Sequence, residues 1–188
     1  MARYAMTIDL TTCVACDACV LACKMENNVP DGYARDWTEQ VLTETPAGLN
    51  LALYSNRCQH CKNAPCVAVC PTGASYIKDG IVLIDKDLCV GCRQCISGCP
   101  YGARYYHPAS YVDKCTFCEH RIGTDRQPAC VEVCPTNSLV FGDVNDKNSE
   151  ISQLLKKRET KVLKAEKKTQ PKYFLLASTV KENSILAG

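Results

Sequence analysis

The sequence predicts an α+β fold, two nested units of short helices and strands, and three observations predict it. Sixteen of the 188 residues are cysteine. They fall into four groups of four: Cys13, Cys16, Cys19, Cys23; Cys58, Cys61, Cys66, Cys70; Cys89, Cys92, Cys95, Cys99; and Cys115, Cys118, Cys130, Cys134. The apolar fraction of 46% includes those cysteines, and with three Phe and one Trp the organic core is thin. The chain also repeats itself: Gly73-Ala74-Ser75-Tyr76-Ile77 after the second group matches Gly102-Ala103-Arg104-Tyr105-Tyr106 after the third.

The third group, with Pro100 after it, is the run C-x2-C-x2-C-x3-C-P that holds clusters in bacterial ferredoxins. The first repeats that spacing with Lys24 in place of proline, and the second and fourth stretch one gap before Pro71 and Pro135. Four thiolates per cubane give four [4Fe–4S] clusters with no cysteine left over, and such a chain moves electrons. A disulfide scaffold is disfavoured, because Met1–Leu10 lacks a secretory apolar core and the cysteines recur in one compact spacing. Structural zinc prefers two well-separated pairs, whereas groups one and three place three cysteines within seven residues. Metal loading should therefore supply much of the folding energy.

The elements follow in order. Arg3–Leu10 is a strand leading to Cys13. Each fourth cysteine ends a short helix, a proline stops it, and the chain leaves as a strand. Ala74–Ile77 and Ile81–Ile84 flank Asp79-Gly80 and read as a hairpin. Cys58 to Tyr106 is thus one complete two-cluster unit, and Ser138–Gly142 is the strand after Cys134. Groups one and four make a second unit from distant stretches. The expected organisation of the single 1–188 body is an outer unit of 1–24 plus 108–145 and an inserted inner unit over 57–107. A connecting or interface segment spans 25–56, and a basic C-terminal extension spans 146–188.

Several stretches carry a specific resemblance: Ala2–Met6 with Ile8-Asp9, Cys13–Cys23, Glu26-Asn27-Asn28, Arg57–Cys61, Cys89–Arg93, Cys99–Arg104 and Asp113–Cys118. Across residues 2 to 145 the chain resembles the four-cluster iron–sulfur subunit of the DMSO-reductase superfamily of molybdoenzymes, most like the polysulfide and thiosulfate reductase branch. The resemblance implies that each fourth cysteine ligates the partner cluster of its pair. One cluster would then take Cys13, Cys16, Cys19 and Cys134, and a second Cys23, Cys115, Cys118 and Cys130. The third would take Cys58, Cys61, Cys66 and Cys99, and the fourth Cys70, Cys89, Cys92 and Cys95.

The resemblance also implies a non-catalytic electron-transfer subunit docked between a molybdopterin-containing catalytic subunit and an integral-membrane quinone-reactive subunit. The lobe of groups one and four would face the catalytic subunit. Contact with the cytoplasmic membrane would be peripheral, on the periplasmic face after export with the catalytic partner, with the cytoplasmic face as the alternative. A free soluble polyferredoxin, or the iron–sulfur subunit of a hydrogenase or formate dehydrogenase, is the alternative function. Polysulfide, thiosulfate, tetrathionate, arsenate and sulfoxides all stay open as terminal substrates. The net charge of +2 gives no reason to expect nucleic acid.

Other residues carry less. His60 and His120 are expected to pack or to lie at the surface, with hydrogen bonding or charge near sulfur as the alternative. Lys24, Arg57, Arg93 and Lys114 flank ligands and either offset cluster charge or are solvated. No triad, phosphate loop or carboxylate pair suggests substrate chemistry. Pro30-Asp31-Gly32 and Thr45-Pro46-Ala47-Gly48 are turn signals in the 25–56 segment, where Tyr33 and Trp37 form a candidate docking surface. Between Lys156 and Lys172, eight basic residues outweigh Glu159 and Glu166. That run reads as a solvated face, with anionic headgroups or an acidic partner as the alternative.

Overall fold

In the computed structural model, residues 2–45, 48–124 and 126–177 are described. The chain opens with β1 (Tyr4–Asp9) and α1 (Ala18–Glu26), then a long hairpin of β2 (Asp36–Thr45) and β3 (Gly48–Arg57). Next come α2 (Pro65–Ala68), the short hairpin β4 (Ser75–Lys78) and β5 (Ile81–Ile84), and α3 (Gln94–Ser97). A two-residue ladder of β6 (Tyr105–Tyr106) and β7 (Val112–Asp113) precedes α4 (Glu119–Ile122) and α5 (Ala129–Glu132). The chain finishes with β8 (Leu139–Asp143), α6 (Glu150–Lys157), β9 (Thr160–Lys161) and β10 (Tyr173–Leu176).

Three of the four cysteine groups end as their prolines dictate. Cys70, Cys99 and Cys134 lie just beyond α2, α3 and α5, and their carbonyls accept from the N–H groups of Gly73, Gly102 and Asn137. Those three residues have φ of 71°, 63° and 51°, so one left-handed turn sends each chain off the helix toward its strand. The first group differs. Lys24 retains the N–H that proline would remove, and α1 continues past Cys23 to Glu26.

β1 is the organising strand. It pairs antiparallel with β8, Met6 opposite Phe141, and parallel with β10, Met6 opposite Tyr173, in a sheet ordered β8-β1-β10-β9. It is paired along both edges, and both its faces are covered, since the successive residues Met6, Thr7 and Ile8 are all fully enclosed. The core runs from these residues through Phe117, Phe141, Tyr173 and Leu175 to the β4–β5 hairpin. That hairpin turns at Asp79-Gly80, with φ of 48° and 79°, the twist a two-residue turn needs.

Two segments carry more regular structure than their sequence signals announced. Residues 25–56 are not mainly loop: β2 and β3 pair continuously from Asp36–Arg57 to Thr45–Gly48. The base of this hairpin is buried through Tyr54, Ser55, Asn56 and Arg57, while Leu42, Leu49 and Leu51 stay exposed toward its tip. Pro46 and Ala47 of the second turn signal lie outside the described residues. The stretch from 146 onward is not simply an appendage either, because β10 enters the sheet beside β1 with Tyr173 and Leu175 fully buried. Part of the basic run is accordingly tied down: Arg158 pairs with Asp9 at 2.6 Å, and Lys172 is buried with its Nζ on the Gly80 carbonyl at 2.7 Å. Lys156, Lys157, Lys164, Lys167 and Lys168 are exposed. Residues 178–188 lie outside the described residues.

Candidate functional site

All four cysteine groups share one backbone device. The residue just before the second cysteine is in the left-handed region in every group: Ala15 at φ 51°, His60 at 43°, Gly91 at 67° and Phe117 at 54°. Such a φ is uncommon for residues other than glycine. Its recurrence at one position marks four copies of one loop, a conformation that turns successive N–H groups toward a shared anionic centre.

The loops and helices bring cysteines of different groups together. Cys13, Cys16 and Cys19 line one cavity with Cys134. Cys23 neighbours Cys115 and Cys130, and Cys130 neighbours Cys118. The Asn27 amide spans this cluster of thiols, 3.6 Å from Cys23 Sγ and 3.9 Å from Cys118 Sγ. The Cys61 thiol feels the charges of Cys58, Cys66 and Cys99, and that of Cys95 the charges of Cys70 and Cys89. Packing of α1 on α5 and of α2 on α3 produces these meetings. Cys16 and Cys92 are the exposed members.

The thiols suit polynuclear iron. All sixteen are free of disulfides. Among the described residues, no three His, Cys, Asp or Glu side chains converge as a single ion would require. Sixteen thiols in four spaced groups fit all-cysteine cubanes, which bacterial ferredoxins hold on this spacing. Burial pushes the Cys115 thiol up to about 12 and those of Cys61 and Cys130 up to about 11. For Cys70 and Cys134, burial also works upward but is outweighed by backbone and threonine hydrogen bonds, which favour the thiolate. A bound iron must displace the protons of the buried thiols, so metal binding and ionisation are coupled.

Comparison with known proteins gives this arrangement its family. Two family models, each described as a 4Fe-4S dicluster domain, match residues 12–75 and 49–144. The sequence is 45% identical over 180 residues to the protein NrfC homolog of Haemophilus influenzae, covering 92% of this chain and 79% of that protein. It is 42% identical over 179 residues to a polysulfide reductase subunit of Wolinella succinogenes, covering 93% of this chain and 94% of that one. With the thiosulfate reductase electron transfer subunit PhsB of Salmonella typhi the identity is 44% over 165 residues, 84% of this chain and 83% of that protein. The protein belongs to the iron–sulfur subunits of the molybdoenzyme family. Its two dicluster domains and sixteen cysteines fit four [4Fe–4S] clusters. The two matched stretches overlap over 49–75, so their bounds are not those of the expected nested units.

In this iron–sulfur subunit the four flanking cations separate into two kinds. Arg57 is fully buried, donates through Nη1 to Cys130 Sγ at 2.7 Å, and pairs with buried Asp36 at 3.4 Å. Lys114 is equally buried, its Nζ on the carbonyls of Val82 and Cys115. Lys24 instead spends its Nζ on the carbonyls of Pro30 and Tyr33, and Arg93 lies over the Tyr106 ring at 4.0 Å. These last two brace loops rather than face sulfur. His60 is a packing residue: it is fully buried, stacks on Phe117 at 3.7 Å, and accepts the Val82 N–H at Nδ1. Burial holds it neutral, aided by Lys114, Lys172 and Arg104, so it brings no charge. His120 sits at the surface against Glu26.

Other polar residues were not foreseen as site components. Arg104 donates to Cys66 Sγ at 2.9 Å and Ser75 Oγ at 2.8 Å. Arg35 forms a two-point pair with Asp113, both contacts 2.9 Å and both side chains buried. The signal for Arg104 was its place four residues after Pro100, where the matching position after Pro71 is Ser75. Of the candidate docking aromatics, Tyr33 stacks on Tyr105 at 4.9 Å, and Trp37 is half-buried with its indole N–H on Glu39. Among the described residues no helix is long and apolar enough to cross a membrane.

Proposed function

We propose that this chain is the non-catalytic relay subunit of a respiratory reductase, passing single electrons between a quinone-reactive membrane subunit and a molybdopterin catalytic subunit. Each [4Fe–4S] cluster, when bound, accepts and releases one electron. Cys13, Cys16, Cys19 and Cys134 would hold the first, and Cys23, Cys115, Cys118 and Cys130 the second. Cys58, Cys61, Cys66 and Cys99 would hold the third, and Cys70, Cys89, Cys92 and Cys95 the fourth. The observation that carries the reading is the cavity that Cys134 of the distant fourth group lines together with Cys13, Cys16 and Cys19, and the charge coupling of Cys61 with Cys99 and of Cys95 with Cys70 points the same way. Exchange of the fourth ligand fixes two clusters of a pair at short distance. It also makes an outer unit of groups one and four around an inner unit of groups two and three, a nesting supported by β1 pairing with β8.

The sets also follow one another. Cys115 of the second neighbours Cys58 of the third, while exposed Cys16 and Cys92 belong to the first and the last. Those two exposed ends are where partners would give and take electrons, the first set toward the catalytic subunit and the fourth toward the membrane. Names among the relatives point to sulfur-compound reductases, with polysulfide, thiosulfate and tetrathionate as the substrate class of the complex. The chain would meet the membrane only through its partner, on the periplasmic face. In the assembled complex, Cys66→Ala should abolish quinol-linked reduction while dye-linked reduction at the catalytic subunit survives. Full quinol-linked activity in that variant would reject the relay.

A further inference from the structure

We propose that three buried cations alternate with the four cysteine sets, Arg57, Lys114 and Arg104 in turn, and that each raises the reduction potential of the two clusters it separates. Arg57 bonds Cys130 of the second set, and its charge also acts on Cys19 of the first. Lys114 Nζ donates to the carbonyl of Cys115 of the second set at 2.8 Å, and its charge also acts on Cys58 and Cys66 of the third. Arg104 bonds Cys66 of the third set, and its charge also acts on Cys95 of the fourth.

Burial distinguishes all three cations from ordinary surface charge, and the lack of a counter-ion distinguishes two of them, since Arg57 pairs with Asp36. They are buried, Arg57 and Lys114 at 1% exposure and Arg104 at 5%, so water and salt screen them little. Further, among the described residues neither Arg104 nor Lys114 has a carboxylate within ion-pair distance. A buried cation without a counter-charge is costly. The charge available to balance these two is that of the cysteine sets on either side. Arg57 Nε and Arg104 Nε and Nη1 also have no hydrogen-bond partner among the described residues. An electron arriving at a cluster adds one negative charge, and a fixed positive charge nearby favours that reduced form. A cation placed at a junction acts on both neighbours, so their potentials rise together. Lys24 is only half-buried and Arg93 is exposed, so water and salt screen their charges and they would not contribute.

This inference rests on the ligand sets proposed above, and its test keeps every ligand in place. Arg57→Gln, Arg104→Gln and the corresponding lysine variants would be prepared as the full cluster-loaded chain. Their iron content and cluster potentials would be read by redox titration with electron paramagnetic resonance. Arg57→Gln should lower the reduced-to-oxidised ratio at fixed potential about tenfold, about 59 mV for a one-electron couple, in the clusters of groups one and four alone. Arg104→Gln should do so in the clusters of groups two and three alone, and the lysine variants should stay within about threefold of wild type. Equal shifts in all four clusters, or no shift with full iron, would overturn the proposal. Where a glutamine variant loses iron, the lysine variant decides: wild-type potentials support the proposal, and a tenfold shift overturns it. A wrong ligand set shows separately, as the wrong cluster lost from Cys99→Ala.

Discussion

Leu175→Ala tests whether the basic C-terminal stretch is part of the body. Leu175 lies on β10, fully buried, opposite Ile8 of β1. Removing a buried leucine forfeits its transfer energy and leaves a cavity that a flanked sheet closes poorly, together about 3 kcal/mol. At about 1.4 kcal/mol per factor of ten, that is roughly a hundredfold in the folded-to-unfolded ratio. An anaerobic guanidinium titration of the loaded chain, followed by cluster absorbance and circular dichroism, should show the midpoint lowered by about 1 M. Leu49→Ala is the control, since Leu49 is 73% exposed on the long hairpin. Equal midpoints for the two variants would refute the reasoning and return residues from 146 onward to the status of an appendage.

The same titration serves two further variants. Gly80→Ala places a side chain at φ 79° with its Cβ against Lys172 Nζ, displacing the lysine that ties β10 to the β4–β5 turn. A loss of about 1–2 kcal/mol is expected from the left-handed backbone alone, and an unchanged midpoint would contradict it. Arg35→Met strands the buried Asp113 carboxylate and should cost about 3–5 kcal/mol, of which Arg35→Met with Asp113→Leu recovers a large part. A double variant no better than the single one would show that the pair is not what binds the 25–56 segment to β7.

Chemistry was more legible in the sequence than architecture. Cysteine spacing is read directly, because three thiolates of each expected set lie in one short stretch of chain, while the fourth comes from elsewhere and leaves no local pattern. Asp79-Gly80 betrayed its hairpin because few residues take two positive φ values in succession. The β2–β3 hairpin was missed because Leu49 and Leu51 alternate as if toward a core yet face outward, while the buried base is polar Ser55, Asn56 and Arg57. β10 was missed because Tyr173–Leu176 is a four-residue apolar run behind a basic stretch. Its partner β1 is near the other end of the chain, and no local pattern records that pairing. Arg57 and Lys114 were noticed as neighbours of ligands, but burial, which separates them from Lys24 and Arg93, is a property of the folded chain.

The exchange of fourth ligands is the central claim, and Cys99→Ala tests it most directly. Wild type prepared without oxygen should carry about sixteen iron per chain, four all-cysteine cubanes. If Cys99 completes the set of Cys58, Cys61 and Cys66, the variant should lose or convert that cluster, with the spectrum of the Cys89, Cys92 and Cys95 cluster intact. Cys70→Ala should do the opposite. Loss of the Cys89, Cys92 and Cys95 cluster in Cys99→Ala, with the Cys58, Cys61 and Cys66 cluster untouched, would mean that each group closes on its own cubane and would contradict the account.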